Sequence, residues 1–574
     1  MPLTADVLDK QFRPRFVPED ADFSDWSQVE PLYRALLDRP INTVSDLERW
    51  IEDWSELEAF ISEGEARRYI DMTCHTDDPE KRQRYLKYCE EIVPKASEMA
   101  HQLKVRLLQL PQTTKLDPHR YTVLLRMIRN DVELFRTENI PLKVEEKRLA
   151  TEYRTICGNM TVRFRDREHT LQQMARYFEE PDRSTRQEAW ELVANRRFQE
   201  KDRFEKLFDQ LLDVRKRIAQ NAGFPNYLEY RFRELGRFDY GPEECIRFHQ
   251  AVEKVVVPLV RELHEKRREL LGIASLRPWD TLVDPRQRPP LRPFETGTQL
   301  AEKAIRVFRR LDPRLGDLFE EIYRRGLLDL ESRPGKAPGG YQYSLDASRL
   351  PFIFMNAAGL DRDVTTILHE AGHAFHALAT REEPILAYRH APIEFCEVAS
   401  MGMELLASPF LDEFYNESDY PRRVRRHLEA IVHILPWIAQ IDAFQHWIYT
   451  HPGHERRDRQ QVWLTLDERF SPGIDWSGYE EIRASYWQRQ LHLFEHPLYY
   501  IEYGIAQIGA LGLWVRFRRD PEKALQDYLH ALELGGSRPL PELFQAAGLP
   551  FDFSEKTLAP LIDEIRSELA RLPD

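Results

Sequence analysis

The stretch Asp363–Leu378, DVTTILHEAGHAFHAL, decides how this chain of 574 residues reads. Val364, Ile367, Leu368, Ala371, Phe375 and Leu378 recur at helical spacing, which predicts a buried helix face with Asp361 or Asp363 capping its start. His369 and His373 stand at i and i+4 on that helix, one turn apart, so both imidazoles reach a single metal ion. Glu370 lies about 100° around the helix, beside the metal, where it takes a proton from water that the ion activates. With 18 histidines in 574 residues the pattern arises by chance roughly 0.06 times, which favours a metal site over two unrelated surface histidines. Gly372 costs about 1 kcal/mol relative to alanine inside a helix, so its presence predicts close approach by a neighbouring backbone.

A catalytic zinc site takes three protein ligands and keeps one position open. A third histidine in the HExxHxxGxxH pattern is excluded, because position 376 is histidine where that pattern needs glycine. His376 itself would overfill the site and reads as a buried neighbour. Downstream, Glu394-Phe395-Cys396-Glu397-Val398-Ala399-Ser400-Met401 offers two carboxylates on a second helix, Glu394 and Glu397. The Cys396 thiol points about 100° away from Glu397 on that helix, and Glu404 reads as an outer partner of a ligand.

HEAGH followed by FCEVASMGMELL resembles the thimet oligopeptidase and oligoendopeptidase F family of zinc metallopeptidases. The resemblance places the third ligand on Glu397, the glutamate of an E-x-[AP]-S element, and implies one zinc ion per chain held by His369, His373 and Glu397. It further implies that His492, Tyr500 and Tyr503, in the segment running from His492 to Gly504, donate hydrogen bonds to the reacting carbonyl. Tyr499 lies in the same run, and the glycine-rich stretch that family members carry before the tyrosines is missing here. The implied fold is mainly α, a multi-helix shell around a deep substrate channel. The implied activity is zinc-dependent hydrolysis of internal bonds in short peptides. A helical zinc carboxypeptidase would also use HExxH, and a helical interaction protein with a decayed site is a reading from another class.

The surroundings agree with a mostly helical chain. Glycine is sparse, 24 of 574 residues, and apolar residues make up 42%. Residues 30–270 read as successive amphipathic helices. Ser45-Asp46-Leu47-Glu48 and Ser184-Thr185-Arg186-Gln187 have capping form, and Pro79 and Pro521 stand at first helical positions. Gly535-Gly536 stops the helix that Pro521 opens. Prolines 278, 285, 289, 290 and 293 mark an extended connector. Tyr341–Leu345 and Phe352–Met355 then predict a small two-stranded sheet just before the HExxH helix, a platform for an extended peptide. Residues 1–200 are expected to form a helical N-terminal region and residues 201–574 the catalytic region.

A net charge of −14 disfavours nucleic acid as a partner. No run of apolar residues is long enough to span a membrane. Five scattered cysteines without a CxxC pair, and no apolar leader in MPLTADVLDKQFRPRF, predict a cytoplasmic protein with reduced thiols.

Overall fold

The computed structural model describes residues 8–573; residues 1–7, part of the stretch read for a leader, and residue 574 lie outside it. Helices dominate, as the composition predicts. Six of them matter below: α1 (Val44–Cys74), α2 (Pro242–Ala251), α3 (Asp361–Ala379), α4 (Ile393–Leu406), α5 (Asp419–Thr450) and α6 (Ile501–Arg519). None of the described helices is long and apolar enough to cross a membrane.

The strands are few. β1 (Thr161–Phe164) and β2 (Arg167–Thr170) form an antiparallel hairpin inside the region expected to be all helix. Its turn residues Arg165 and Asp166 both adopt positive φ, 49° and 61°. That is the two-residue hairpin geometry normally supplied by Asn-Gly, so the usual glycine signal is missing from the sequence. The second sheet contains the two predicted strands, β4 (Tyr341–Leu345) and β5 (Leu350–Ala357), paired antiparallel. It gains β3 (Leu328–Glu331), which runs parallel to β5 and makes the order β3-β5-β4. The extra strand follows a glycine with positive φ, Gly326, which lets the chain leave the preceding helix.

The capping devices are partly displaced from those expected. At α1 the cap is Thr43, reciprocated by Asp46, instead of a box starting at Ser45. Asp182, not Ser184, caps the helix Arg183–Phe198. Both differences follow from one requirement: the cap must accept from the N–H two or three residues on, and an extended residue with a short acceptor lies just upstream in each case. Asp78 and Asp520 cap helices that open with Pro79 and Pro521, and Gly535, at φ 49°, ends the latter helix.

Two compact units divide the described residues: residues up to 133, 291–424 and 506–551 form one, and residues 134–290, 425–505 and those from 552 on the other. Each is assembled from separated segments, whereas the 1–200 and 201–574 regions expected from sequence are contiguous. The first unit holds a core built on Trp50, Ile51, Leu57, Leu103 and Leu107, all essentially excluded from solvent. It also holds β3–β5, α3 and α4. The second contains the aromatic cluster of Trp190 and Trp279, against which Trp476 and Tyr479 pack.

Candidate metal centre

α3 presents its two histidines as the spacing requires, with ring centroids 4.9 Å apart and planes nearly perpendicular. Its start is fixed by Asp363, whose carboxylate accepts from the Leu360 and Ala358 N–H groups. Asp361 instead accepts from the Tyr415 hydroxyl. α4 packs along α3 at Gly372, where a Cβ would stand 2.6 Å from the Ala399 carbonyl oxygen and 2.7 Å from Ser400 Cα. Both obstacles are backbone, which accounts for the glycine predicted to mark a close approach. Tyr528 fixes the same seam by donating to the Ala399 carbonyl at 2.7 Å.

That close approach carries Glu397 to the histidines. Its Oε2 lies 3.3 Å from His369 Nε2 and 3.8 Å from His373 Nε2, and ligand atoms of all three residues fall within 4.8 Å of one another. Ser400 donates to the same oxygen at 3.0 Å and holds its rotamer. On the far side of the ring, His369 Nδ1 lies 2.7 Å from Glu404 Oε1, which leaves Nε2 facing Glu397. Two imidazole nitrogens and one carboxylate oxygen converging on a point are the donor set that zinc takes in open, three-ligand sites. The residues present therefore fit such an ion.

The remaining residues of the motif fall outside this set. Glu394 is buried on α4 but is not among the converging donors. Cys396 Sγ donates to the Ala391 carbonyl. His376 is buried edge-on against Phe395, and His390 pairs with Asp346 at 3.0 Å.

Burial and charge set opposite tendencies on neighbouring groups. Burial pushes His373 down to about 4. It acts the same way on His369, but hydrogen bonds to Glu397 and Glu404 outweigh it and hold that imidazole well above its ordinary value. Glu397 is kept below the carboxylate range: burial opposes this, and the His369 hydrogen bond prevails. Glu370 differs, because burial pushes it up to about 7 against the opposing charge of His369. The Gln342 N–H of β4 donates to its carboxylate, and Gly340, where a Cβ would come within 3.9 Å of Glu370 Oε1, brings the sheet edge over it.

His492, Tyr500 and Tyr503 belong to the other unit. His492 sits on the short helix Leu491–Glu495, Tyr500 immediately before α6, and Tyr503 in its first turn. Ring centroids lie 4.8 Å apart for His492–Tyr500, 6.0 Å for His492–Tyr503 and 5.5 Å for Tyr500–Tyr503. Tyr499 closes the cluster, 5.4 Å from Tyr503. Burial lowers His492 to about 4 and raises the Tyr500 hydroxyl.

Between His492 and the tyrosines, Leu498 adopts φ 62°, a left-handed conformation that a branched side chain disfavours. Two groups invisible to sequence reading hold it there. Gln445 accepts from the Leu498 N–H at 2.6 Å, and Arg237 donates to its carbonyl at 2.6 Å. Where a glycine-rich stretch was missing, the chain has a clamped residue. Only a non-glycine at positive φ could have betrayed it, and φ is not written in sequence.

Comparison with known proteins decides the family. The model for peptidase family M3 matches residues 176–561, and that for the peptidase M3 N-terminal domain matches residues 16–135. The chain belongs to peptidase family M3. It is similar to an oligoendopeptidase F homolog of Lactococcus lactis subsp. lactis, 24% identical over 337 residues, which are 55% of this chain and 53% of that protein. It is also similar to oligopeptidase PepF of Bacillus subtilis, 24% identical over 276 residues, covering 45% of this chain and 40% of that one. The chain thus spans about half the length of the curated relatives it matches. Among solved structures, PZ peptidase A with an inhibitor superposes with a TM-score of 0.87 at 28% identity, over 98% of this chain and 99% of that one. M3 membership implies a metal cofactor, and among the described residues of this unit His369, His373 and Glu397 form a group that could hold it.

Two consequences are measurable here. Glutamine at position 404 keeps the shape but weakens the orienting charge on His369. Glu404→Gln should therefore lower metal affinity by about 10–100-fold, read by competition with a chromophoric chelator. Gly372→Ala recovers about 1 kcal/mol of helix propensity, yet its methyl meets backbone that cannot retreat. Overpacking of that kind costs about 1–3 kcal/mol, and the rigid seam puts it at the upper end. A lower Tm together with weaker metal retention is the expected outcome, since α3 must move away from Glu397.

Proposed function

We propose that this M3 peptidase is a zinc-dependent oligopeptidase that hydrolyses internal bonds of short peptides. The observation that carries the reading is the convergence of His369 Nε2, His373 Nε2 and Glu397 Oε2 beside a buried Glu370. When bound, zinc supplies Lewis acidity, lowering the pKa of water toward about 7 and polarising a carbonyl.

Glu370 does the proton work. A group poised near 7 both accepts a proton from attacking water and returns it to the departing amine. The rotation of about 100° that separates neighbouring residues on a helix keeps its carboxylate off the ligand face and beside it. β4, the outer strand of its sheet, offers backbone groups to an extended peptide, which accepts many side-chain sequences because main-chain hydrogen bonding carries the affinity. His492, Tyr500 and Tyr503 are assigned as donors to the developing oxyanion. One such donor contributes roughly 10²–10³ in turnover.

One substrate tests this reading. A peptide blocked at both ends and carrying an internal fluorophore–quencher pair should be cleaved, silenced by a chelator and recovered with added zinc. Cleavage only of peptides with a free C-terminus would give the carboxypeptidase alternative instead, and no hydrolysis of either would leave a binding protein.

A further inference from the structure

In the second unit, two helices bring a different set of metal-binding side chains together. α2 carries Cys245 and His249 at i and i+4; α5 carries Asp442 and His446 with the same spacing. Ligand atoms of Cys245, Asp442 and His446 lie within 4.8 Å of one another. His249 Nε2 donates to Asp442 Oδ2 at 2.8 Å, while His446 Nε2 stands 3.3 Å from that same oxygen. Exposure is 0% for Cys245 and Asp442, 4% for His249 and 8% for His446.

Two polar atoms of this cluster are short of protein partners. Asp442 Oδ1 is buried with no hydrogen bond, and the buried His446 Nε2 has only its 3.3 Å ion-pair approach to Asp442 Oδ2. Among the described residues no lysine or arginine pairs with Asp442; its partners are the two histidines. A buried carboxylate with an open oxygen is costly unless a cation lies beside it, and an imidazole nitrogen and a sulfur stand at coordinating separation from that carboxylate. α2 also runs directly into a π-helical turn at Val252–Val256, a distortion that recurs beside functional sites.

We propose that Cys245, Asp442 and His446 bind a second divalent zinc ion, separate from the one assigned to α3 and α4 and independent of whether that one is catalytic. A thiolate and a carboxylate neutralise the dication, so the buried site carries no net charge. The thiol proton leaves to solvent on binding. His249 does not ligate; its hydrogen bond to Asp442 fixes the carboxylate, the outer-shell role that orients ligands in metal sites. The ion would pin α2 to α5, and with all four side chains more than nine-tenths buried its role is structural. Mixed thiolate, imidazole and carboxylate donors suit zinc among the common divalent ions.

Cobalt(II) in place of zinc separates the two sites, because the α3–α4 donors include no sulfur. Full-length chain produced in cobalt-supplemented medium should contain two cobalt equivalents and show a thiolate-to-cobalt charge-transfer absorption. Cys245→Ser should lose that absorption and one equivalent, Cys396→Ser should keep both, and His373→Ala should lose one equivalent yet keep the absorption. One equivalent without thiolate absorption in the unaltered chain overturns the proposal, as does absorption that survives Cys245→Ser. Should Cys245→Ser fail to fold, the unaltered chain and His373→Ala still decide the matter.

Discussion

Glu370→Gln should hydrolyse a blocked peptide about 10²–10⁴ times more slowly than the unaltered chain while keeping its full metal content. The side chain is buried, and burial already favours its neutral form by raising it to about 7. Glutamine therefore adds no desolvation cost and keeps the shape, so folding is expected to be unchanged or slightly improved. What it removes is the capacity to accept and return a proton. Steady-state kinetics with elemental analysis on the same sample separates the effects: a lower kcat at wild-type metal content is the expected pattern. Residual turnover above a tenth of the original would move the proton transfer to another group.

The second large effect is on metal binding. Glu397→Ala should lose one zinc equivalent per chain and all hydrolysis, whereas Glu394→Ala keeps the metal. Both carboxylates are buried on α4, three residues apart, but only Glu397 Oε2 reaches within 3.3 and 3.8 Å of the two imidazoles. Removing it leaves two neutral donors and no compensating charge, a loss greater than the about 10–100-fold that outer partners cost. Metal analysis after dialysis against a weak chelator reads the difference. Metal lost from Glu394→Ala and kept by Glu397→Ala would exchange the two assignments.

Parts of the site were legible because they are local. The i, i+4 histidines share a face by helical period alone, and Gly372 signals a tight seam because nothing larger would fit against Ser400 Cα. The alternation in Tyr341–Leu345 likewise marks a strand. Other parts depend on distant segments. β3 joins its sheet by parallel pairing with β5, more than twenty residues on, and its own four residues carry no strong pattern. The Leu498 clamp needs Arg237 and Gln445, hundreds and tens of residues away.

The chain's own letters carried a mostly helical protein, a histidine pair on one helix face with a glutamate beside it, and the small sheet upstream, because helix and strand periods are properties of consecutive residues. Tertiary packing alone determined how closely the Glu397 oxygen approaches those imidazoles, which oxygen holds His369 in its tautomer, and that Cys245 meets Asp442 and His446. Such meetings depend on how separate helices dock, and docking is governed by surfaces that no single segment encodes.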